Sequence, residues 1–135
     1  MKSWAEKLAD SKPEQVKRLD KPMMGMKQGQ MMLIASPAIF DDFIRRIPEG
    51  TAKDIKQVRD ELAQKFDADV TCPLTSGIFL RIVAEAAYEA YDNGAKIDDI
   101  TPVWRVIDNK STTAKKLSFD PQFLWNQRDR EGLPE

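Results

Sequence analysis

The stretch from Thr75 to Asp92 constrains the fold most. Ile78, Phe79, Ile82, Val83, Ala86, Ala87 and Tyr91 recur at helical spacing and form a wide apolar stripe. Asn93-Gly94 is a strong stop. The pattern predicts a long buried helix. The chain has 135 residues, close to the ~100–150 of one domain, so this helix is expected at the centre of a single core.

The preceding elements read as its partners. Met31-Met32-Leu33-Ile34 is a short apolar run of the kind a buried strand shows. Ser36-Pro37 reads as an N-cap followed by a first-turn proline. Ile39, Phe40, Phe43, Ile44 and Ile47 then share one helical face, ended by Pro48 and Gly50. Ile55, Val58, Leu62 and Phe66 predict a second amphipathic helix over about 53–66, with Thr51 or Asp54 as its cap. Residues 67–76 read as a loop.

After the long helix, Thr101–Ile107 is rich in β-branched and aromatic residues and predicts a strand. Leu117-Ser118-Phe119 reads as its hairpin return across a polar loop. Asp120-Pro121 starts a last helix that Gly132 ends. The expected fold is therefore mainly α with a small β-hairpin. Two helices and a two-stranded wing suggest a winged helix-turn-helix, with the long helix as recognition helix. Residues 1–30 are expected as an N-terminal polar arm and residues 31–135 as the domain. Trp4 and Leu8, spaced i, i+4, leave open a short helix docked on the body.

Composition excludes several chemistries. There is no histidine, so neither a Ser-His-Asp site nor a His-based metal site can be built. The single cysteine, Cys72, excludes an intrachain disulfide and a Cys-cluster zinc site, and fits a reducing, cytoplasmic setting. Cys72 reads as passive, or as a thiol activated at a helix start. No apolar run approaches a membrane span or a secretory h-region. The formal net charge is −1, against the basic excess usual in nucleic-acid binders. Residues 71–101 hold two basic side chains against five acidic ones. An anion-binding surface must be a local patch. Lys110, Lys115 and Lys116 read as a solvated loop face or as a wing touching phosphate. Met23, Met24, Met26, Met31 and Met32 read as packing or as a soft partner surface.

Several segments carry a resemblance. Pro102-Val103-Trp104-Arg105-Val106-Ile107 resembles the Pro-Cys-His-Arg-Val-Ile active-site segment of the O6-alkylguanine-DNA alkyltransferases. Ile47-Pro48-Glu49-Gly50-Thr51 resembles that family's Ile-Pro-x-Gly entry into its helix-turn-helix. Arg81–Ala86 is similar to its recognition-helix segment, Asn93 to its asparagine hinge, and Glu131-Gly132-Leu133 to its closing Glu-Gly segment. The matches keep their order over residues 39–133.

Val103 stands where the acceptor cysteine would be and Trp104 where the proton-relaying histidine would be. An aliphatic side chain cannot attack an alkyl carbon. The resemblance thus points to the non-catalytic alkyltransferase-like proteins, which bind alkylated bases and flag them for repair. Those relatives carry tryptophan at the cysteine position, whereas here it comes one residue later. The gap between Arg81 and Val103 is also longer than in the family.

The resemblance implies a monomeric DNA-binding protein acting in DNA repair without a cofactor, not an enzyme, which recognises alkylated or distorted DNA by base flipping. It implies that Arg81 is the finger filling the stack left by a flipped base. Val103 and Trp104 would line the base pocket, and Glu131 would bond a base edge or orient the strand. Phosphate contacts would come from helix N-termini and from Thr75, Ser76 and Lys53. The alternative is a protein-interaction module that keeps the fold and no longer binds DNA, a reading that the acidic middle of the chain favours.

Overall fold

The computed structural model describes residues 2–134. In chain order it contains α1 (Trp4–Ala9), β1 (Gln15–Arg18), β2 (Met31–Ile34), α2 (Pro37–Arg45), α3 (Ile55–Lys65), β3 (Val70–Thr71), α4 (Pro73–Asp92) and α5 (Gln122–Glu131). Short 3-10 turns cover Ile97–Asp99, Val103–Arg105 and Thr113–Lys116. The protein is mainly helical with one small three-stranded sheet, ordered β1-β2-β3.

Local chemistry sets the helix limits. The Ser36 hydroxyl accepts the Ile39 N–H at 3.1 Å, and Pro37 opens α2. Asp54 and Gln57 form a capping box on α3. Helix α4 starts at Pro73, two residues before Thr75, because a proline at the first turn gives up no helical N–H bond. At the end of α5, Gly132 adopts φ 72°, the left-handed conformation open to glycine at little cost.

The core lies between α4 and its neighbours. Leu80, Val83, Ala84 and Ala87 of α4 pack with Phe40 and Ile44 of α2, Val58 and Leu62 of α3, and Val103, Trp104 and Ile107. Below the sheet, Leu19, Met26, Met32 and Cys72 form a smaller cluster. Cys72 is the buried N-cap of α4.

Three expectations need correction. Residues 67–76 are not a loop throughout, because Val70–Thr71 pairs with β2 and α4 starts at Pro73. The hairpin over 101–107 and 117–119 does not form. Residues 103–105 are a 3-10 turn and the strand pairing lies elsewhere, with β1 antiparallel to β2 and β2 parallel to β3. Val103, Trp104, Val106 and Ile107 are all buried, so no face is left to alternate toward solvent. Residues 1–30 are not a free polar arm either. Helix α1 packs on α4, and β1 joins the sheet across the expected boundary at residue 30. What holds this segment is backbone pairing of β1, the Glu89 carboxylate on α1, and a few apolar anchors, Leu8, Leu19 and Met26.

Candidate functional site

The structure divides the residues singled out above into two groups. The first surrounds Glu131, at the end of α5. Its side chain is 1% exposed, and every carboxylate lobe is taken. Oε1 accepts the Gly50 N–H at 2.9 Å and the Arg105 Nε at 2.9 Å. Oε2 accepts the Trp104 Nε1 at 2.7 Å and the Arg105 Nη2 at 3.0 Å. Arg105 sends Nη1 to the Ile47 carbonyl at 2.7 Å, and its own carbonyl accepts the Lys53 N–H at 2.9 Å. Gly50 turns with φ 83° to aim its N–H at Glu131.

Burial pushes the Glu131 carboxyl up. The hydrogen bonds from Arg105, Gly50 and Trp104, with the Arg105 charge, outweigh that and hold it below the usual carboxylate range. The group is an ionised latch tying the Ile47–Gly50 turn, residues 104–105 and α5 together. It has no free lone pair for a base edge unless it gives up one of these donors.

Trp104 is 2% exposed and Val103 1%, so both are core side chains here. Trp104 only borders a hollow of about 160 Å³ among Arg45, Asp98, Arg105 and Arg130, and Val103 does not line it. Trp104 meets Phe123 edge-on, with ring centroids 6.4 Å apart. Behind them Arg128, also buried, donates Nη1 to the Trp104 carbonyl at 2.6 Å and Nε to the Pro134 carbonyl at 2.8 Å. Burial lowers the Arg128 pKa, and Asp108 counters this.

The second group lies on the N-terminal half of α4. Arg81 is partly exposed. Its Nε is 3.5 Å from Glu85, in ion-pair range but without a hydrogen bond. Its guanidinium carbon lies 5.3 Å from the Trp4 ring centroid, and Lys7 Nζ lies 4.0 Å from the same centroid. Leu74 and Ile78, two turns and one turn before Arg81, are 62% and 50% exposed. A groove of about 320 Å³ runs along this face, with Trp4 and Lys7 of α1 on one side and Thr112, Thr113 and Lys116 on the other.

Glu85 fixes the far wall. This buried carboxylate accepts the Ser118 N–H at 2.8 Å and the Ser118 hydroxyl at 2.5 Å. It thereby clamps the chain just after the Thr113–Lys116 turn to α4. Thr75 has a buried hydroxyl with no partner. Ser76 is buried and donates to the Cys72 carbonyl at 2.7 Å, so its hydroxyl is already used. Nothing in the residue types marks Trp4 or Lys7 as part of a binding face. The i, i+4 spacing of Trp4 and Leu8 was the one available signal.

A scan against protein-family models found no match, and neither curated proteins nor solved structures gave one. No group of residues suited to hold a metal ion occurs among the described residues. No helix among the described residues is long and apolar enough to cross a membrane.

Proposed function

We propose that this chain is a non-enzymatic DNA-binding protein of the alkyltransferase-like type, which engages alkylated or distorted DNA without alkyl transfer. Its fold in this reading is a winged helix-turn-helix variant. Helices α3 and α4 form the helix-turn-helix, and the 3-10 turn Thr113–Lys116 takes the place of the wing.

The face of α4 carries the reading. Leu74, Ile78 and Arg81 point outward from one helix side, Lys116 and Lys7 line the same groove, and no carboxylate lines it. Within a chain of net charge −1, the lining of this groove is locally basic, with Glu85 and Glu89 of α4 at its margins. Apolar side chains beside an arginine also suit minor-groove wedging and base extrusion. The segment resembling the family's active site serves as scaffold, because Val103 and Trp104 are inside the core.

The test is affinity for duplexes with and without an O6-alkylguanine over a salt series. Tighter binding to the lesion duplex supports the reading, and Arg81→Ala should weaken it. Absence of binding to either duplex at low salt would sink it. The second reading, a protein-interaction module, draws on the exposed Val16, Met23, Met24 and Met31 around β1 and β2. It gains if neither duplex binds.

A further inference from the structure

Helix α1 has a defined place but no fully buried residue. Its half-buried Leu8 packs against the main core, and polar contacts fix its N-terminal end. Its first N–H groups, on Trp4 and Ala5, both donate to the Glu89 carboxylate of α4 at 3.1 Å. Ser3 and Glu6 close a capping box at the same end. These bonds set Trp4 and Lys7 against Arg81 rather than against the core. The groove they complete holds three cations, an indole and exposed aliphatic side chains, with no acidic residue in its lining.

We propose that this groove takes an unpaired nucleotide of a DNA strand, with the phosphate among Lys7, Arg81 and Lys116 and the base against Trp4. The inference rests on the DNA-binding reading and extends it from α4 to α1. A basic groove with an aromatic side chain is the arrangement that holds single strands without sequence preference. A groove of about 320 Å³ is within the ~300–1,000 Å³ of small-molecule sites. Lys7 now sits over the Trp4 ring. Its flexible stem lets the ammonium move to a phosphate and uncover the ring for a base. The Arg81 Nε is buried 3.5 Å from the Glu85 carboxylate, so it is the exposed part of the guanidinium, not Nε, that is open to a phosphate oxygen.

The experiment titrates the full chain with an oligothymidylate strand, a lesion-free duplex and an oligoglutamate peptide over a salt series. The variants are Trp4→Ala, Trp4→Phe, Lys7→Ala and Lys116→Ala, each checked for wild-type unfolding. Trp4→Ala should weaken oligothymidylate binding on the order of ten-fold, with Trp4→Phe restoring part of it. Lys7→Ala and Lys116→Ala should each lower the salt slope by about 0.7. Variants that bind the strand as the wild type does overturn the proposal. So does tighter binding by Trp4→Ala, which would make α1 a cover over Arg81. Equal affinity for oligoglutamate overturns it in favour of an acidic peptide. Strand binding with no duplex binding keeps the groove and removes the duplex reading. Duplex binding insensitive to all four variants does the reverse.

Discussion

Trp104 donates its indole N–H to Glu131 at 2.7 Å across a separation of 27 residues. The two residues lie in the segments resembling the alkyltransferase active site and its closing Glu-Gly. A tryptophan Nε1–H can only donate, so it cannot relay a proton as a histidine does. What the bond supplies is position. With Arg105 on the same carboxylate, it fixes the end of α5 against the 3-10 turn Val103–Arg105.

Glu131→Gln should destabilise the fold by about 3–5 kcal/mol, because Arg105 then remains buried without its counter-charge. Trp104→Phe removes one donor of four and some ring volume, and should cost about 1–3 kcal/mol. Urea unfolding with constant m-value measures both. A Glu131→Gln loss below that of Trp104→Phe contradicts the latch.

The same latch sets an acid limit. Glu131 has its folded-state pKa lowered, so its contribution is present above the unfolded value and is lost as pH falls through the folded one. Thermal stability should therefore drop as pH goes below about 4.3, the usual glutamate value. In Glu131→Gln this part of the drop should be absent. Melting curves of both proteins between neutral pH and acid decide it.

The helices were largely legible in the sequence because their signals are local. Ser36-Pro37, Asp54 with Gln57, and Gly132 each mark a boundary through the backbone groups they satisfy. The 103–107 segment was not, because a short apolar run is consistent with a strand or with a fully buried turn. Its carbonyls are paired from far away in sequence, by Arg128 and by the Lys53 N–H. Strand β1 has no sequence signature because all four of its residues are exposed, so no alternation marks it. The basic groove was half legible. Arg81 and Lys116 stand out by charge and motif position, but only the fold brings Trp4 and Lys7 to them.

Val103→Cys should yield a thiol closed to reagents. Val103 is 1% exposed and is hemmed in by the main core. Maleimide should label this cysteine in denaturant and leave it unmodified in the native protein. Cys72 is buried as well, so the Cys72→Ala background isolates the new thiol. Fast native labelling would show that the segment opens to solvent.

Arg128 separates packing from polar satisfaction. Its guanidinium reaches the Trp104 and Pro134 carbonyls, and it is 5% exposed. Segment 103–107 has no strand partner, so this fork does for the Trp104 carbonyl what a sheet ladder would otherwise do. Arg128→Met keeps much of the stem and leaves the buried Trp104 carbonyl unpaired, at about 1–3 kcal/mol, while the carbonyl of the exposed Pro134 can turn to water. Arg128→Lys should rescue little, since an ammonium cannot reproduce the planar fork across both carbonyls. Hydrogen exchange supplies the local readout. Amides of Val106 and Ile107, which donate to the Val103 carbonyl, should lose protection in both variants more than those of α2. Full recovery by Arg128→Lys would mean that charge alone, and not the geometry of the fork, holds the turn in place.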